Sequence, residues 1–130
     1  ALNTIRMLKE SFDPQVMTTI GLSNVSNGCP KELRALINRV FLVLAAGCGL
    51  DSAIVDSFDE ELLRLNNVLE TQTAEKAHDN TYLSLFNIMQ NFEDLDSVEY
   101  DSSDIEQVRI FKTAEISLNQ KVYTNSYLEI

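Results

Sequence analysis

The stretch TTIGLSNVSNGCP, Thr18 to Pro30, passes from an apolar, threonine-bearing run into a polar loop without a single charged side chain. The residues there with chemistry to offer are Ser23 and Asn24, which follow Gly21 where the apolar run ends. A carboxamide both donates and accepts hydrogen bonds, and a hydroxyl does the same on a shorter stem. On spacing alone two readings of Asn24 stand open: it closes a strand with an Asx turn, or it presents its amide to a ligand. Gly21 likewise either marks a bulge or lets backbone approach a flat ligand closely.

Other reactive types are sparse. Cys29 and Cys48 are the only cysteines, and neither forms a CxxC pair or lies near the single histidine, His78. A zinc site would lack ligands, so no metal is expected. Reduced thiols are expected rather than a disulfide. His78, in EKAHDN, reads as a surface residue. Asp56 has no second carboxylate to pair with and reads as a helix cap, and Ile54 is a core residue or a ligand contact.

The chain has 130 residues, 45% apolar and 23% charged, with few Gly and Pro, a composition that suits one folded, α-rich domain. Twenty acidic against ten basic residues give a formal charge of -10. That charge repels phosphate backbones and anionic lipid surfaces, so neither nucleic acid nor membrane is expected as a partner. The apolar run Val40 to Leu50 is far shorter than the roughly 20 residues that span a bilayer. A cytoplasmic location is expected. The chain opens with ALNTIRMLKE, directly in a helical pattern and without Met, which suggests that it begins inside a longer polypeptide.

Those residues need elements to position them. Leu2, Ile5 and Leu8 recur at helical spacing until Pro14 breaks the pattern. Val16 to Leu22 reads as a short strand buried on both faces. From Lys31, Leu33, Leu36, Ile37, Val40, Phe41, Leu44 and Ala45 share one helical face, and Gly47 and Gly49 punctuate its end. LDSAIVD reads as a second strand, and Asp59 opens the helix DEELLRLNNVLE. This alternation predicts a parallel α/β arrangement with right-handed crossovers. The tail is helical: Tyr82, Leu85, Phe86 and Met89 share a face, as do Ile105, Val108, Phe111, Ile116 and Leu118 with some slippage, and an acidic link EDLDSVEYDSSD lies between.

GLSNVSNGCP, LINRVFLVLAAGCGLDSAIVD and FKTAEISLNQKVYTNSYLEI, in this order, resemble the last third of the methyltetrahydrofolate:corrinoid protein methyltransferases. This pterin-binding family resembles dihydropteroate synthase and includes a domain of cobalamin-dependent methionine synthase. The resemblance covers most of residues 1–60 and about 110–130. It implies the C-terminal portion of a TIM (β/α)8 barrel, with Val16 to Leu22 as the seventh strand, Asp51 to Val55 as the eighth, and the pocket at the strands' C-terminal ends. Residues 1–130 would then be a single partial pterin-binding barrel domain.

The implied activity is methyl transfer from methyltetrahydrofolate to the cobalt of a corrinoid protein. Asn24 takes the role of contacting pterin N5, the nitrogen that bears the methyl group; Gly21 and Ser23 line the same edge, and Ile54 packs beside the ring. An amide suits that position because it can donate to neutral N5 or accept from protonated N5. The family's other pterin contacts would lie upstream of Ala1, so the chain holds part of a site.

The sequence also departs from the family. About Arg64 to Val108 intervene where members pass directly onward, giving an acidic helical insertion that is either a docking surface or an added hairpin. Corrinoid modules carry their cobalt-ligating histidine in an Asp-x-His-x-x-Gly context, which AHDN does not match. The corrinoid is therefore expected on a partner protein. Completion by a missing N-terminal portion or by self-association into a homo-oligomer is implied. The alternatives are a subunit of a split barrel and a non-catalytic helical interaction or oligomerisation module.

Overall fold

The computed structural model describes residues 2–11, 19–21, 29–54, 59–118 and 128. In chain order the elements are α1 (Leu2–Ser11), β1 (Thr19–Gly21), α2 (Lys31–Gly47), β2 (Ser52–Ile54), α3 (Glu60–Thr71), α4 (Asp79–Gln90), a 3-10 turn at Leu95–Ser97, and α5 (Ile105–Ser117). The expected C-terminal portion of a TIM barrel is not what these residues build: the protein is helical. Strands β1 and β2 are three residues each and pair in parallel, Thr19 with Ser52, Ile20 with Ala53 and Gly21 with Ile54. Two such strands cannot wall a barrel, and the core lies elsewhere.

That core surrounds α2. A helix lying on a barrel sheet buries one stripe, whereas α2 buries Leu33, Leu36, Ile37, Val40, Phe41, Val43, Leu44, Ala45 and Gly47. It packs chiefly against α4 and α5. Tyr82, Leu85, Ile88 and Met89 of α4 enter the same cluster as Val40, Val43 and Leu44, together with Leu62, Leu65 and Val68 of α3 and Ile110 and Ala114 of α5. So the stretch read as an insertion, 64–108, supplies part of the core, through Leu65, Val68, Tyr82, Leu85, Ile88 and Met89 among others. Helix α1 contributes Leu2 and Ile5. Leu8, placed on that face by its spacing, is half exposed instead.

Local chemistry sets the helix ends. Asp59 caps α3 by accepting from the Leu62 amide at 3.0 Å, with Glu60 and Glu61 at the favourable end of the helix dipole. Helix α2 stops in a Schellman motif: the Leu50 amide donates to Ala45 O at 3.0 Å and the Gly49 amide to Ala46 O at 3.1 Å. Gly49 has φ 103°, a left-handed conformation that favours glycine. Asp104 caps α5 through the Glu106 amide at 3.0 Å. Helix α5 turns inward Ile110, Thr113 and Ala114, while Ile105, assigned to its apolar face by periodicity, is 72% exposed.

Candidate functional site

The parallel pair brings two of the expected site residues together. Gly21 and Ile54 are register partners at the C-terminal ends of β1 and β2. The crossover between these strands is α2, whose Schellman turn delivers the chain into β2. Ser23, Asn24 and Asp56 lie outside the described residues, as does the side chain of Ile54. Beside β2 a cleft of about 210 Å³ is lined by Leu42, Ala46, Leu50, Asp51, Ala53 and Leu62, among others.

The start of α3 is tied to α2 by an ion pair. Arg39 Nη2 on α2 donates to Asp59 Oδ1 at 2.8 Å, and the same oxygen holds the α3 cap. Asp59 is thus both cap and anchor. Among the described residues, Arg39 Nε and the neighbouring Asn38 Oδ1 are buried without a hydrogen-bond partner.

A second cluster, absent from the sequence reading, joins α3 to α4. Arg64 reaches Asp79 with Nη1 at 2.7 Å and Nη2 at 2.8 Å, and Glu61 with Nη2 at 2.6 Å. Asp79 is fully buried, and its Oδ2 also accepts from the amides of Glu75 at 2.9 Å and Lys76 at 2.8 Å. Burial pushes its carboxyl pKa up, but the Arg64 guanidinium and the two amides outweigh burial and hold it well below the usual carboxylate range. Hydrogen bonding from Arg64 lowers Glu61 to about 2 against the effect of burial, with His78 assisting. Arg64 is in turn pushed further above its ordinary value by Asp79 and Glu61.

His78 belongs to this cluster and not to the open surface: its Nε2 lies 3.4 Å from Glu61 and 3.7 Å from Asp79, and its ring meets Tyr82 edge-on at 6.2 Å. Glu61, His78 and Asp79 have metal-ligand types within reach of one another. The carboxylate oxygens already face Arg64, however, so an ion would have to displace a cation that is hydrogen-bonded to both.

The cysteines are free thiols. Cys48 is buried, and burial raises its pKa, partly offset by the nearby Arg6 guanidinium. Arg6 donates to Met89 O at 2.6 Å and lies over the Phe92 ring at 4.4 Å, joining α1 to the end of α4. No helix among the described residues is long and apolar enough to cross a membrane.

A 71-residue stretch of the chain, 55% of its length, is 42% identical to methionine synthase of Mycobacterium leprae (strain TN). Part of this chain is related to methionine synthase. The same identity over the same length holds for methionine synthase of Mycobacterium tuberculosis (strain ATCC 25618 / H37Rv). The match spans only 6% of the length of each of these relatives, so the relation belongs to a region and not to a whole protein. No protein-family model matches the chain, and no solved structure matches it.

Proposed function

We propose that this chain contributes part of a methyltransferase site at which methyltetrahydrofolate gives its methyl group to the cobalt of a corrinoid carried by a partner protein. The observation that carries the reading is the 42% identity to methionine synthase over 71 residues. The adjacency of Gly21 and Ile54 supports it, because a flat ring lying across those strand ends would meet backbone without a side chain on one strand and an aliphatic residue on the other.

The chemistry falls to Asn24. A methyl group leaves a tertiary amine poorly unless the nitrogen gains a hydrogen bond or a proton as the C–N bond breaks. Asn24 holds N5 through its carboxamide, donating to the neutral nitrogen or accepting from the protonated one, and so follows the developing charge without titrating. Ser23 supplies a second adaptable donor and acceptor at the pterin edge, and Ile54 packs beside the ring. The corrinoid supplies the methyl acceptor. Self-association into a homo-oligomer, and the cytoplasmic location that suits reduced thiols, belong to the same proposal.

The test is calorimetric titration of methyltetrahydrofolate into the wild-type protein and Asn24→Ala, followed by transfer assays with a corrinoid protein. Loss of the amide is expected to slow transfer about a hundredfold, the effect of removing one transition-state donor. Pterin affinity falls less than the rate, because the hydrogen bond strengthens as the bond breaks. Wild-type protein that is folded and binds no methyltetrahydrofolate would overturn the reading. It would favour a non-catalytic helical interaction module, to which the helical core around α2 lends its own support.

A further inference from the structure

Arg39 and Asp59 link the helix that crosses between the two strands to the segment that leaves the second one. Arg39 lies on α2, and Asp59 lies five residues beyond Ile54 at the start of α3. Their 2.8 Å ion pair is partly sheltered, with the side chains 23% and 13% exposed, so solvent screens it less than a surface pair. The Asp59 oxygen that receives Arg39 is the one that caps α3. Moving Arg39 therefore moves the cap, and with it the anchored end of the chain leaving β2. The other end of that chain is fixed by the pairing of Ile54 with Gly21. Ile54 and Asp59 are thus each held, the first by a strand register and the second by an ion pair.

Arg39 is not arranged for greatest stability. Its Nε is buried and has no hydrogen-bond partner among the described residues, although a guanidinium beside a carboxylate commonly uses its planar fork in full. We propose that Arg39 is a positioning residue of the pterin-edge site: acting through Asp59, it fixes the end of β2 so that Ile54 stays opposite Gly21. The ligand in this proposal rests on the methyltransferase reading above; the strand geometry does not.

Two measurements separate the claims. Methyltetrahydrofolate affinity is determined by calorimetry, and amide hydrogen exchange is followed in Thr19–Gly21, Ser52–Ile54 and α2. Both are done on wild type, Arg39→Met, Arg39→Lys, Asp59→Asn and Asp79→Asn. Arg39→Met is expected to weaken pterin binding roughly tenfold, as for loss of one charge-assisted hydrogen bond, and to speed exchange in both strands relative to α2. Asp59→Asn, which keeps a good helix cap, reproduces that loss, and Arg39→Lys recovers part of it.

Asp79→Asn serves as the control, since it weakens the α3 to α4 connection; it lowers the melting temperature without either effect. Unchanged affinity and unchanged strand exchange in Arg39→Met would overturn the proposal. So would losses that scale with melting temperature alike in Arg39→Met and Asp79→Asn. If wild type binds no methyltetrahydrofolate, the methyltransferase reading falls, and strand exchange alone decides whether Arg39 positions the end of β2.

Discussion

Arg64 and Asp79 meet in two parallel hydrogen bonds of 2.7 and 2.8 Å, and the carboxylate is fully buried while the guanidinium is 19% exposed. Removing one partner of such a pair leaves the other charge sheltered and uncompensated, which costs about 3 to 5 kcal/mol. Asp79→Ala is therefore expected to lower unfolding free energy by about that amount in urea titrations. Asp79 differs from a simple ion-pair partner because it also accepts from the amides of Glu75 and Lys76. The double variant Arg64→Met/Asp79→Ala should recover only part of the loss, since those two donors stay orphaned. Full recovery would mean that the turn amides find water without cost.

Acid should act on the same cluster. Glu61 and Asp79 have folded-state pKa values below the ordinary carboxylate value of about 4, Glu61 at about 2. Groups depressed by folding give stability that is fully present above the unfolded pKa and is lost as pH falls through the folded one. The cluster's contribution is thus intact at pH 7, begins to decline near pH 4, and has gone for Glu61 by about pH 2. Urea midpoints measured across this range should fall more steeply in wild type than in a Glu61→Gln/Asp79→Asn variant. Parallel slopes in the two proteins would contradict the assignment.

Gly47 sets two effects of opposite sign against each other. Within a helix, Gly→Ala gains about 1 kcal/mol from propensity. Yet a Cβ on Gly47 would sit 2.6 Å from Phe86 O and 2.7 Å from Met89 Cβ, and one of these is backbone. Helix α4 would have to shift away from α2, at a typical overpacking cost of 1 to 3 kcal/mol or more. Gly47→Ala should therefore lower the thermal midpoint. A raised midpoint would show that α4 moves aside freely.

Helix α2 was legible in the sequence because its apolar residues repeat at helical spacing and two glycines mark its end. Asp59 and the acids after it announced α3 in the same local way. The architecture was not legible, because the rhythm of strand and helix fixes local period but not which distant segment covers α2; that cover comes from α4 and α5. Val43, outside the stripe read from periodicity, is fully buried for this reason. Arg64 and Asp79 are fifteen residues apart and share no helix, so nothing in local spacing pairs them. A usable signal was present: Asp79 follows Glu75 and Lys76 at the spacing of a turn cap. The parallel pairing of β1 with β2 followed from reading two strands joined by one helix, whereas the choice of Gly21 and Ile54 as site residues came from the family resemblance alone.

The stretch from Arg64 to Val108 reads in sequence as an addition, and its removal tests that view directly. Within it, Tyr82, Leu85, Ile88 and Met89 are all less than 8% exposed and pack into the cluster that holds α2. Fully burying one such side chain contributes about 1.5 to 3 kcal/mol, so α4 accounts for roughly 6 to 12 kcal/mol of apolar stabilisation. That rivals the whole net stability of an ordinary domain, about 5 to 15 kcal/mol. Replacing residues 73–104 with a short Gly/Ser linker should therefore abolish cooperative unfolding and near-ultraviolet dichroism, and leave a loosely packed chain. An appended docking hairpin predicts the reverse, a truncated protein that melts cooperatively near the wild-type temperature. The first outcome makes the segment a structural necessity for the core around α2, and any docking role it has would be carried on its outer face.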